Sequence, residues 1–227
     1  MKLGKETVEI VYYRSGYRSQ EYVDQWENLK KTMETIELSN AIKVPDAALK
    51  LFNSKRMQTE LSKEEVFSKY LTKEESEMLK LSVIRQWEFD DMKEEQFREV
   101  LKEFEKAKDN FVLKPNCEGG GNNLWGEEGY RALEQATPNE RTMYILMEKI
   151  QTKPIENVLI DGSKHEKTLC DYEVSNFGII QGRGKELTKN EIVGHLIRIK
   201  PSTEREGGIL AGVGSLCAWA REEEEQE

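Results

Sequence analysis

Three consecutive glycines, Gly119, Gly120 and Gly121, separate an apolar run, Phe111-Val112-Leu113, from a polar, helix-permitting run that starts near Gly126. That order predicts a strand, a flexible loop and a helix. Glycines let main-chain N–H groups close on an anion, and a helix start adds the positive end of its dipole. Lys114 brings a point charge to the strand end. Glu118 stands at the loop edge, where carboxylate and phosphate together can hold Mg2+. Gly-Gly-Gly alone is read more simply as a surface loop. Lysine, carboxylate and glycines together after a strand point to a nucleoside triphosphate. The lysine precedes the glycines and no Gly-Lys-Ser/Thr follows, so this is not a Walker A loop. The spacing of the dinucleotide fingerprint is absent too.

A length of 227 residues allows one large domain or two small ones. The net charge of -9 argues against a nucleic-acid partner or an acidic membrane. A phosphate site on such a chain needs local lysines and a metal, which the central stretch offers. Cys117, Cys170 and Cys217 are odd in number and lack metal-ligand spacing, which suits free thiols in a reducing cytoplasm. There is no secretory apolar region and no apolar run long enough to span a bilayer.

Along the chain, residues 7–13 alternate as a strand, and Arg14-Ser15-Gly16-Tyr17 reads as a turn. Residues 22–36 carry Val23, Trp26, Leu29 and Met33 at helical spacing. Residues 41–44 suit a short strand and 47–52 a helix. Asn53 or Ser54 then caps a further helix that begins at Lys55. Residues 64–71, 73–81 and 91–106 are charge-dense and helical, with Phe97, Val100, Leu101 and Phe104 as a stripe on the last. Residues 126–136 predict a helix, 137–139 a break, and 143–150 a β-rich run. Residues 157–160 and 169–181 predict neighbouring strands. Glu173 lies among Cys170, Tyr172, Val174 and Phe177, and a carboxylate facing a core requires a partner. In 193–200, alternation puts His195, Ile197 and Ile199 on one face and Leu196, Arg198 and Lys200 on the other.

The central stretch, Val112-Leu-Lys-Pro, Asn-Cys-Glu-Gly-Gly-Gly-Asn-Asn-Leu-Trp-Gly-Glu-Glu128, closely resembles the glycine-rich loop of the eukaryotic-type glutathione synthetases, which are ATP-grasp ligases. It departs at Cys117, usually arginine, and at Trp125, usually tyrosine. The run Tyr144-Ile-Leu-Met-Glu-Lys-Ile150 and the run Val193-Gly-His-Leu-Ile-Arg-Ile-Lys200 resemble two further segments of the family. The resemblance extends from about Val8 to Val213.

That resemblance implies an α+β, ATP-grasp-like fold: two α+β lobes clamping ATP, with a glycine-rich loop and an alanine-rich lid. It divides the chain into a substrate-region remnant with helical linker (1–54), a helical part of the first lobe (55–110), the core (111–217) and an acidic tail (218–227). It implies ATP contacts from Lys55, Lys114, Glu118, Gly119, Gly120, Gly121, Asn122, Asn123, Trp125, Met147, Glu148, Lys149, Ile150, Glu173 and Lys200, with the main chain from Met147 to Ile150 reading adenine. Arg14, Ser15, Gly16, Tyr17, Arg198, Glu206, Ile209 and Leu210 fall at substrate positions. Ser15 replaces the family's aspartate in the turn. In the lid, Glu206 replaces an aspartate and Leu210 an alanine, which crowds the glycine pocket. Arg198, Lys200 and Lys114 are the implied catalytic cations, and Glu118 the Mg2+ ligand.

The implied reaction joins γ-glutamylcysteine and glycine at the expense of ATP. The family's N-terminal half, which carries further metal ligands and most of its homodimer contact, is expected to lie outside this chain. The alternative is a non-catalytic nucleotide- or thiol-peptide-binding relative.

Overall fold

The computed structural model describes residues 1–14, 26–116, 122–161, 164–184, 186–209 and 212–218, with the side chains of 161 and 164 excepted. The chain divides into two compact units, Met1–Ile150 and Gln151–Glu227. The division falls inside the 111–217 stretch.

The first unit opens with a small antiparallel hairpin, β1 (Lys2–Leu3) and β2 (Glu6–Thr7). β3 (Ile10–Tyr12) follows, then helix α1 (Trp26–Glu37), and β4 (Ile42–Val44) returns parallel to β3. Four short helices come next: α2 (Ala47–Phe52), α3 (Lys55–Leu61), α4 (Glu64–Phe67) and α5 (Lys73–Lys80). Their starts follow local capping chemistry. Asp46, Ser54 and Thr72 each accept a main-chain N–H from the first turn, and Thr72 with Glu75 completes a reciprocal box.

β5 (Gln86–Trp87) leads to the long amphipathic helix α6 (Glu94–Lys106). β6 (Phe111–Pro115), β7 (Leu124–Trp125), helix α7 (Gly126–Gln135), the single turn α8 (Pro138–Arg141) and β8 (Tyr144–Glu148) complete the unit. The sheet has order β5-β8-β6-β7, and every pair in it is antiparallel.

The core lies between this sheet and α6 with α7. Phe97 and Phe104 of α6 meet Phe111 and Leu113 of β6, Leu146 of β8, and Tyr130 and Leu133 of α7. Phe104 is fully buried, with its ring 5.5 Å from Phe111 and 5.8 Å, edge-on, from Tyr130. α7 can approach because residue 129 is glycine. A Cβ there would stand 2.8 Å from the Leu124 carbonyl oxygen and 3.3 Å from the Phe104 ring.

The second unit is an antiparallel sheet of order β9-β10-β11-β12, made of β9 (Ile155–Asp161), β10 (Lys164–Arg183), β11 (Glu186–Pro201) and β12 (Ser215–Cys217). The register of the β10–β11 hairpin shifts at Phe177/Gly178 and again at Gln181/Gly182. At the second shift a Cβ on Gly182 would meet the Glu186 carbonyl oxygen at 2.6 Å. The small core of this unit gathers Cys170, Ile197 and Ile199 with Leu159, Tyr172 and Cys217. Burial raises the Cys170 thiol above its ordinary range, so this cysteine is packing rather than nucleophile.

Candidate functional site

In the first unit, β6 carries Lys114 next to its end. Register places Lys114 opposite Ile145, Val112 opposite Met147, and Phe111 opposite Glu148. Directly paired residues share a face, and successive residues alternate. Phe111, Leu113 and Leu146 therefore turn to the helices. Val112, Lys114, Ile145 and Met147 share the other face, together with Trp125 of β7 and Gln86 of β5, both of which pair with members of that set. Three residues of strand, about 10 Å, separate the level of Glu148 from that of Lys114. Lys55 opens α3, which is tied to β5 through Thr59. Its hydroxyl donates to the Lys55 carbonyl at 3.1 Å and bonds Gln86 Oε1 at 3.1 Å.

At the far end of β8, both oxygens of Glu148 are engaged by Arg85, which holds this carboxyl below the usual carboxylate range. The Lys149 N–H donates to the Asn110 carbonyl at 2.7 Å. At the Lys114 end, Asn116 Oδ1 is buried without a hydrogen-bond partner among the described residues, an oxygen donor set two positions before Glu118. α7 begins at Gly126 as expected. Its first turn already carries Glu127 and Glu128, which use up the favourable end of the dipole. Lys108 and then Arg131 hold the Glu127 carboxyl below its ordinary range.

In the second unit, Arg198 and Lys200 project from one face of β11, as alternation requires. Glu173 shares that face instead of pointing to the core. It stands opposite Arg198 in register, and its side chain is 59% exposed. The apolar neighbours that suggested burial are on the reverse face or exposed. The Arg198 guanidinium donates to Glu173, and Lys200 Nζ donates to Asp171 Oδ2 at 2.9 Å. Thr152 Oγ1 donates to the other Asp171 oxygen at 2.6 Å. Lys200 also donates to the Glu204 carbonyl, at the start of the expected lid. The start of this segment sits on the stem of the same lysine: a Cβ on Gly207 would lie 2.9 Å from Lys200 Cδ, and one on Gly214 would collide with the Gly207 carbonyl oxygen. Glu206 is half-buried and Ile209 exposed in this segment.

Ser15, Gly16, Tyr17, Glu118, Gly119, Gly120, Gly121 and Leu210 lie outside the described residues. Arg14, Asn122 and Asn123 lie inside them, and Arg14 Nη1 reaches the Tyr12 hydroxyl at 3.4 Å. Two participants escaped the sequence reading. Asp171 was legible in principle, two positions before Glu173 and hence on its face. Arg85 was not, because its partner Glu148 is 63 residues away. Among the described residues, no helix is long and apolar enough to cross a membrane.

The family model described as eukaryotic glutathione synthase, ATP binding domain, matches residues 4–219. The chain is 37% identical over 214 residues to glutathione synthetase of Mus musculus, covering 93% of this chain and 44% of that protein. It is 38% identical over 215 residues to the Bos taurus glutathione synthetase, with the same coverage. The chain thus spans less than half the length of these relatives. Among solved structures, a glutathione synthetase-like effector from Globodera pallida in apo form superposes with a TM-score of 0.59 at 22% identity, covering 76% of this chain and 37% of that one, which speaks for the fold. The chain belongs to the family of eukaryotic glutathione synthase ATP-binding domains.

Proposed function

We propose that this chain binds ATP and serves ATP-dependent ligation of γ-glutamylcysteine and glycine to glutathione, within an ATP-grasp arrangement. The observation that carries the reading is the β6–β8 pair. Lys114 stands at one end and the Met147–Ile150 segment at the other, about 10 Å apart, which is the scale between a nucleotide's base edge and its phosphates. On this reading Lys55 and Lys114 hold phosphate oxygens, and Met147, Lys149 and Ile150 present main chain to adenine. Glu118 would hold Mg2+ together with the phosphates, and Asn122, Asn123 and Trp125 follow the loop. Among the described residues no three His, Cys, Asp or Glu side chains cluster around a metal-sized space. One carboxylate plus phosphate oxygens is an ordinary Mg2+ arrangement, and Asn116 Oδ1 after β6, buried without a partner among the described residues, suits an oxygen-rich end. Bound there, Mg2+ would supply charge neutralisation on the phosphates.

The cysteinyl carboxylate attacks the γ-phosphorus, ADP leaves, and an acyl phosphate forms. The glycine amine attacks its carbonyl, phosphate leaves, and the amine proton goes to solvent or phosphate. No protein nucleophile is required, and the chain's task is positioning and charge compensation. Arg198 holds a substrate carboxylate, Lys200 a phosphate oxygen, and Glu206, Ile209 and Leu210 close over glycine. Arg14 to Tyr17 touch the peptide.

The purified 227-residue chain is expected to bind MgATP. Its γ-glutamylcysteine-dependent phosphate release is expected to be slow, because the chain spans 44% of its relatives' length. Calorimetry with MgATP and glutathione assay by chromatography check both. Absence of ATP binding would sink the functional reading, and robust glutathione formation would overturn the expectation of a weak enzyme.

A further inference from the structure

Arg85 precedes β5, and both its main chain and its side chain hold Glu148. Its carbonyl accepts the Glu148 N–H at 3.0 Å, and its own N–H donates to Glu148 Oε2 at 3.2 Å. Nε and Nη2 donate to Glu148 Oε1 at 2.9 and 2.6 Å. The same guanidinium reaches Glu103 on α6 at 2.5 Å and lies 4.9 Å from the centre of the Trp87 ring. Trp87 in turn packs on Phe111, 5.8 Å between ring centres. The end of β8 is therefore clasped to the core helix and to the sheet by one side chain. A lone exposed ion pair does little to fix geometry. A forked arginine shared by two carboxylates and lying over an indole fixes it far better.

Glu148 thus has both carboxylate oxygens committed within the protein. Its side chain therefore orients the segment, which leaves the main chain around it to meet a base, as the resemblance implies. We propose that Arg85 is a positioning residue that sets base selectivity, by holding through Glu148 the Met147–Ile150 main chain in the register that an adenine edge, rather than a guanine edge, requires. The inference rests on the reading of the β6–β8 pair as the nucleotide floor.

The test uses the full chain and the variants Arg85→Gln and Arg85→Lys, with MgATP, MgGTP and magnesium tripolyphosphate titrated by calorimetry. Tripolyphosphate carries the phosphates without a base. Arg85→Gln is expected to weaken MgATP by about tenfold, the scale of a lost hydrogen bond to a charged group. It should leave tripolyphosphate unchanged and narrow the ratio of ATP to GTP affinity. Arg85→Lys keeps the charge but cannot bridge Glu148 and Glu103 together, so it should show a smaller loss in the same direction. If Arg85→Gln is poorly folded by circular dichroism, Arg85→Lys carries the test alone. Unchanged MgATP affinity in the folded variants overturns the proposal, as does an equal loss for tripolyphosphate. A wild type that binds tripolyphosphate as tightly as ATP would instead sink the base-edge reading beneath it.

Discussion

Lys114→Ala is expected to weaken ATP binding about tenfold, with or without Mg2+. The residue is half-buried next to the end of β6, and Leu113 before it is fully buried, so the ammonium is carried by a fixed strand. An ammonium ~4 Å from a phosphate oxygen gains roughly 4 kcal/mol of raw Coulomb energy at an effective dielectric of about 20. If a third survives desolvation, about 1.4 kcal/mol remains, a factor of about ten. Glu118→Gln should act differently, since it removes a metal ligand: MgATP should lose affinity, and ATP in EDTA should not. Calorimetric titration of both variants under both conditions makes the comparison. Wild-type binding by Lys114→Ala would remove the phosphates from this strand end, and equal losses for Glu118→Gln in both conditions would remove the metal from Glu118.

The second large effect concerns stability. Phe104→Ala is expected to destabilise the first unit by about 3–5 kcal/mol, because it deletes a whole ring from a closed cluster. Phe104 joins α6 to Phe111 and Tyr130, and Gly129 keeps α7 close enough that little collapse can refill the space. Thermal denaturation should show a drop of about 10 °C. A shift of only a degree or two would mean that the cluster closes over the gap.

Much of this was legible from local pattern. The Phe97–Phe104 stripe predicted a helix packed by one face, and α6 is that helix. Gly126 marked the start of α7, and period-two alternation put Arg198 and Lys200 together. What was not legible is partnership across the chain. The pairing of Glu173 with Arg198 and of Asp171 with Lys200 depends on the register of a long hairpin with two shifts, which no local rule supplies. The apolar neighbours of Glu173 along the strand suggest a core-facing carboxylate, but immediate neighbours point the other way, and the partner that such a carboxylate calls for is Arg198. β5 is two residues long and gives no periodicity, so no local pattern marks Arg85. Thr137-Pro138-Asn139 has the composition of a break, yet Thr137 and Glu140 form a reciprocal cap and start a helical turn.

The cross-strand carboxylates have a consequence for the anion binding proposed on β11. Arg198 and Lys200 each already have a counter-ion opposite them on β10. A carboxylate or phosphate bound there, as proposed, competes with Glu173 and Asp171 for these two cations, so association on this face is largely an exchange of one ion pair for another. Added salt weakens the outgoing pair and the incoming pair alike. Affinity on this face should therefore vary less with ionic strength than on a surface of uncompensated lysines, and the choice between anions falls to their shape and their number of acceptor oxygens.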